Sequence, residues 1–135
     1  MPIDFEIDHK HRLVTARGLG TLTHEDVLGY QMGVWGRTDV AGYDELVDMS
    51  GVEEIALISM DAVPRLASLS ARMDPPDGKS RLAIVAPSDF AFALGRRYET
   101  FRGLDPRSTK EVRVFRSLAE ALAFLQDRSA TSASG

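Results

Sequence analysis

Cysteine is absent from the 135 residues. Disulfides, thiolate metal sites and a cysteine nucleophile are thereby excluded, and the composition fits a reducing compartment. Long apolar runs are also missing. None approaches the ~20 residues that a membrane helix needs. The opening MPIDFEIDHKH has neither the basic start nor the apolar centre of a signal peptide, so the expected location is cytoplasmic. Signatures of catalysis are equally scarce. Gly18-x-Gly20 lacks the third glycine of a dinucleotide fingerprint and follows a hairpin instead of opening a βαβ unit. There is no G-x-S-x-G, no P-loop and no H-E-x-x-H. His9 and His11 sit two apart, with His24 further on, but no third ligand stands at a metal-binding spacing, so no metal and no cofactor are expected. Asp48, Glu53 and Glu54 cluster without a partnering base or nucleophile and read as solvated loop charges. A small enzyme using Asp48 and Arg96 is disfavoured on the same ground, and no catalytic residue is expected.

What is present is an ordinary globular composition, 44% hydrophobic and 27% charged, of a length for one domain. The net charge of −4 conceals an asymmetry. Residues 1–61 carry 12 acidic and 4 basic side chains, and residues 62–135 carry 8 and 12. The basic excess lies between Arg96 and Arg116, with seven basic residues against three acidic. Such a segment is either a solvated face of interspersed pairs or a basic edge for an anionic partner or membrane surface. Nucleic acid is not an expected partner, because the chain is acidic overall and no recognition motif accompanies the basic segment.

Alternation and turn chemistry predict nine elements. Phe5-Glu6-Ile7 and Leu13-Val14-Thr15-Ala16 read as a hairpin that Gly18-Leu19-Gly20 ends. Thr23, with Asp26 three residues on, caps a first helix whose Leu28, Met32 and Trp35 should face the core. Asp44 to Met49 is a third strand. A second helix follows, with Val63, Leu66, Ala67 and Ser70 at helical spacing. The continuous apolar run Leu82 to Ala86 has the form of a strand covered on both faces. Pro87-Ser88-Asp89 opens a third helix, Val112 to Phe115 is a fifth strand, and Ser117 with Glu120 caps the last helix. The order β-β-α-β-α-β-α-β-α predicts a single α/β domain over 1–128, with a mixed, mainly parallel five-stranded sheet. Residues 129–135 are small and polar and read as a disordered tail.

These elements carry motifs that form a set: Gly20-Thr21-Leu22-Thr23, the strand ending Leu46-Val47-Asp48, Arg81-Leu82-Ala83-Ile84-Val85-Ala86-Pro87, Gly95-Arg96-Arg97-Tyr98-Glu99, and VRVF followed by EALAFL. The chain resembles, almost end to end, a family of small bacterial proteins described as SpoIIAA-like, related to STAS domains and to lipid-transfer domains of the CRAL-TRIO type. The resemblance implies a STAS-like fold and a non-enzymatic module that binds apolar ligands or touches a membrane peripherally. Phosphoswitch STAS domains carry a pattern close to D-L-S-G-V-x-x-I-D-S-S-G. Here D-S-S-G is replaced by Ala56-Leu57-Ile58-Ser59, and Ser59 aligns with the switch serine only across a gap. Pro64 would fall inside a helix capped by Ser59 but within the first turn of one capped by Asp61, so Asp61 is the better cap.

The third helix is the most informative segment. Phe90, Leu94, Tyr98 and Phe101 make one stripe, whereas Phe92 points away from it, beside Arg96 and Glu99. Gly95 and the loop Arg102 to Pro106 suggest a helix that can swing. The leading expectation is a binding module that holds an apolar small molecule or lipid through Trp35, Phe90, Phe92, Leu94, Tyr98 and Phe101. Arg96 and Arg102 would contact an anionic group, and the helix would dock on a membrane or protein partner. A homo-oligomer is compatible with this reading. The alternative is an anti-sigma-factor-antagonist-like, partner-switching regulator controlled by phosphorylation, with Ser59 as its regulatory residue.

Overall fold

The computed structural model describes residues 2–56 and 61–127. Ser59 and the tail from 129 onward lie outside the described residues. Five strands form one sheet in the order β1-β2-β3-β4-β5. The strands are β1 (Ile3–Asp8), β2 (Leu13–Thr23), β3 (Asp44–Ala56), β4 (Arg81–Val85) and β5 (Glu111–Phe115). The first pair is antiparallel and the other three are parallel. The helices are α1 (His24–Trp35), α2 (Ala62–Met73), α3 (Asp89–Leu104) and α4 (Leu118–Gln126), and a short 3-10 turn covers Thr38–Val40.

The strands step across the sheet in one direction, so right-handed crossovers place α1, α2 and α3 on one face. Alternation then divides each strand between two environments. On the α3 side, Leu82, Ile84, Val112 and Val114 pack with Ala91. On the other side, Ala83, Val85 and Leu46 pack against Ala121 and Leu125 of α4. All five residues of β4 are buried, as the apolar run from Leu82 requires.

Three local differences from the sequence reading have physical causes. Gly18-Leu19-Gly20 does not end β2. It is an irregular stretch within the strand, with register shifts against β3 on either side and Gly20 at φ +65°. A Cβ on Gly18 would lie 2.7 Å from Val52 Cγ2, so the close approach of β2 and β3 depends on that glycine. Second, β3 extends to Ala56, which places Glu53 and Glu54 on a strand instead of in a loop. Third, the inner face of α1 carries Val27, Tyr30, Gln31 and Val34, whereas Met32 is exposed. The caps follow the sequence. Thr23 and Asp26 bond reciprocally across the first turn of α1, at 3.1 and 2.9 Å. Ser88 Oγ accepts from the Ala91 amide at the start of α3, and Ser117 caps α4; Asp61 occupies the N-cap position of α2, but its carboxylate pairs with Arg65 at 2.8 Å and makes no capping hydrogen bond.

Candidate functional site

Between the sheet and helices α1, α2 and α3 lies a cavity of about 170 Å³. Its floor is the inward row of the central strands: Ala16, Val47, Met49, Leu82 and Ile84. Its walls are Val27 and Tyr30 of α1, Val63 and Leu66 of α2, and Leu94, Gly95 and Tyr98 of α3. The lining is overwhelmingly apolar. Gly95 brings α3 close to β5, since a Cβ there would meet Val114 Cγ1 at 3.0 Å.

One end of the cavity is built differently. Glu45 occupies an inward position of β3 two residues before Val47 and is 4% exposed. Its Oε2 accepts from Tyr30 Oη at 2.6 Å and Trp35 Nε1 at 3.0 Å, and its Oε1 accepts from Lys110 Nζ at 3.1 Å. The same ammonium sits 3.4 Å from the centroid of the Trp35 ring. Burial, and then the neighbouring Glu45 carboxylate, push the Tyr30 phenol well above its ordinary value, so Tyr30 is a standing donor. Beside this group Ser70 Oγ donates to Gln31 Oε1, joining α2 to α1.

A second buried group anchors the end of α3. Arg102 donates to Asp74 Oδ2, to Ser108 Oγ at 3.0 Å and to Tyr98 Oη at 2.6 Å. Asp74 also accepts from the amides of Thr109 and Lys110. Burial pushes the Tyr98 phenol up, partly opposed by the Arg102 charge. Burial works against the Arg102 guanidinium, but Tyr98 and Asp74 more than offset it and its pKa is raised.

The residues expected from sequence are therefore distributed unevenly. Leu94 and Tyr98 line the cavity. Trp35 instead belongs to the buried polar end, as a donor to Glu45. Phe92, expected to point outward, packs against the core, and Arg116 covers its ring at 4.1 Å. Phe90, expected inside, is exposed. Phe101 is half-buried under Arg97. Arg96 is exposed and pairs with Glu99 at 3.3 Å. Arg102 is 2% exposed, so it is not presented to an anionic group in solvent. The inner face of α3 is Ala91, Gly95 and Arg102, with Tyr98 between. That stripe is shifted from the expected one because its members are small or charged, while large apolar residues flank it.

Six of the seven basic residues of the segment are paired with carboxylates, and Arg97 lies over the Phe101 ring. Arg102 and Lys110 are buried against carboxylates, and Arg96, Arg107, Arg113 and Arg116 each meet one at the surface. Glu45 and Lys110 are the residues that sequence reading missed. The available signal was a glutamate at an inward position of a strand that is otherwise apolar there. The histidines are dispersed: His9 shares a 2.7 Å hydrogen bond with Tyr43, His11 pairs with Asp8, and His24 borders the cavity.

Neither protein-family models nor curated proteins match this chain. Among solved structures it is similar to an uncharacterized protein of the DUF3478 family, with a SpoIIAA-like fold, from Shewanella loihica PV-4. The TM-score is 0.57 at 21% identity, over 91% of this chain and 93% of that one. The chain has a SpoIIAA-like, STAS-like fold, as the sequence motifs implied. No described helix is long and apolar enough to cross a membrane.

Proposed function

We propose that this protein is a non-catalytic binding module whose ligand is an apolar small molecule, or the apolar end of a larger one, held between the sheet and α1–α3. The observation that carries this reading is the cavity of about 170 Å³ with a hydrocarbon lining. Close-packed interiors rarely leave a space of that size, and leaving it empty forfeits dispersion contacts on every wall. An engineered apolar cavity of ~150 Å³ accepts benzene, so the volume suits a single ring or a short chain. It falls below the ~300 Å³ and upward of sites that enclose drug-sized ligands. A whole lipid would therefore leave most of its length outside.

Peripheral membrane contact is a second reading, favoured by Phe90 and Leu104, which are 59% and 74% exposed at the two ends of α3. Arg97 stands midway between them at seven-residue spacing, so all three share the outer face of the helix. Liposome co-sedimentation of wild type and the Phe90→Ser, Leu104→Ser pair tests this reading. The partner-switching alternative turns on Ser59, outside the described residues.

Native mass spectrometry of freshly purified protein, with solvent extraction of the same sample, tests the leading reading. A retained apolar adduct, lost in the cavity-filling variant Val47→Phe, is the expected result. Adduct-free protein whose Tm is unchanged by a panel of single-ring and short-chain compounds would overturn it.

A further inference from the structure

The cavity has two unlike ends, and this difference fixes what can enter and in which direction. The inner end is the Glu45 end. There the carboxylate oxygens are taken up by Tyr30, Trp35 and Lys110, and Tyr98 Oη accepts from Arg102. Among the described residues no buried side-chain nitrogen or oxygen lacks a hydrogen-bond partner. At the inner end both oxygens of the Glu45 carboxylate are thus already engaged by internal donors. That end also places a buried carboxylate, already neutralised by one ammonium, next to any incoming charge. A second carboxylate there would be desolvated with no cation left to meet it. From Glu45 the inward row of β3 continues through Val47 to Met49, and the lining towards Ile55 and Val63 is hydrocarbon apart from His24.

Resting on the apolar-ligand reading above, we infer that the site admits short-chain or single-ring amphiphiles tail first, with an uncharged terminus against Glu45 and Tyr98. A charged group is tolerated at one end of the ligand only. Neutral alcohols and monocarboxylates belong to this class. Molecules with a charge at both ends do not.

Three probes of equal chain length separate the possibilities: hexan-1-ol, hexanoate and hexanedioate, titrated into the isotopically labelled protein and followed by amide shifts. Hexan-1-ol and hexanoate should shift Val47, Leu82 and Leu94, and hexanedioate should bind at least ~10-fold more weakly than hexanoate, because one of its carboxylates must be buried. Equal binding of hexanoate and hexanedioate would overturn the inference and leave the apolar-ligand reading standing. Absence of binding by all three would remove both.

Glu45→Gln supplies a reversal. It leaves the Lys110 ammonium at the inner end without its carboxylate, so the preference against hexanedioate should shrink or invert. An unchanged preference in folded Glu45→Gln protein would overturn the role given to Glu45. Should that variant fail to fold, the wild-type series decides the matter, with Val47→Phe as a control that should lose binding of all three probes.

Discussion

Lys110 Nζ stands 3.1 Å from Glu45 Oε1, and both side chains are 6% exposed. The two residues are 65 apart in sequence, so the pair ties the start of β3 to the residue that precedes β5. It is not a bare ion pair. Tyr30 and Trp35 complete the carboxylate, and the Trp35 ring lies beneath the ammonium. The arrangement closes one end of an apolar cavity with charges that cancel inside the protein.

Breaking this pair from one side should be costly. Lys110→Met leaves a buried carboxylate uncompensated, and a loss of ~3–5 kcal/mol is expected. Replacing both partners, as Glu45→Leu with Lys110→Met, removes the two desolvation costs together and should cost less than the sum of the single changes. Urea denaturation of the two single variants and the double variant measures the coupling. Additive losses would show that the pair is not energetically a unit.

Glycines in two helices should respond to alanine in opposite ways. Gly33 lies on the exposed side of α1, and a Cβ there would touch nothing within 4 Å. Gly33→Ala should therefore stabilise by up to ~1 kcal/mol through helix propensity. Gly95 has the same propensity term, but its Cβ would meet both Val114 methyl groups, at 3.0 and 3.2 Å. Valine in a strand has little rotamer freedom with which to give way. Gly95→Ala should be net destabilising, since overpacking costs ~1–3 kcal/mol. Thermal unfolding of the two variants side by side is the check, and a rise in Tm for Gly95→Ala would show that α3 can shift away from β5.

The pattern that made the fold legible is the one that misled on the site. Strands such as Leu82 to Ala86 and caps such as Thr23 with Asp26 are local signals, and local signals survive in a single sequence. Strand order is not local. It follows from crossover geometry and from which faces must be buried together. The orientation of α3 departs from its hydrophobic pattern for a specific reason. Its inner face is made of Ala91, Gly95 and Arg102, chosen for closeness and for a buried ion pair, and hydrophobicity counting favours Phe90 over all three. Arg102 and Lys110 looked like part of a basic surface because their carboxylate partners, Asp74 and Glu45, are far away in the chain. Leu94 and Tyr98 share the cavity side, as their four-residue spacing on one helix implies.

At the surface, Arg107 and Asp105 form a compact pair in the loop after α3. Arg107 donates to both carboxylate oxygens of Asp105, at 3.0 and 2.7 Å, and its amide donates to one of them. The side-chain bonds, followed by the backbone bond, lower the Asp105 pKa from 3.8 to about 2. A depressed aspartate pKa adds stability above the unfolded value, and that contribution is lost as pH falls through the folded one. Any contribution from this pair should thus be constant above pH ~5 and vanish towards pH ~1, the window set by the two values. Carboxyl-carbon NMR should find the Asp105 midpoint near 2 in wild type, and Arg107→Ala should raise it towards the ordinary aspartate range, with the retained bond from the residue 107 amide holding it below that range. A midpoint unaffected by Arg107→Ala would remove the arginine as the cause.

The manner in which α3 could yield to a ligand follows from where it is tied. Its C-terminal end is held by Arg102, which reaches Asp74, Ser108 and Tyr98, all within a buried cluster. The loop from Arg102 to Pro106, which the sequence suggested as a hinge, starts from the firmest anchor on the helix. At the N-terminal end the ties are Ala91 and Phe92 against the core and a surface pair of Arg116 with Asp89, whose side chains are 47% and 98% exposed. Exposed pairs contribute little, of order 0–1 kcal/mol, whereas removing one partner of a buried pair costs ~3–5 kcal/mol. Any opening of α3 should therefore begin at Asp89 and pivot about Arg102. Hydrogen exchange should show faster opening at the helix amides of residues 92–95 than at 98–102, and Arg102→Ala should abolish that gradient by loosening the far end. Uniform protection along α3 in wild type would mean that the helix stays shut and that ligands reach the cavity past another element.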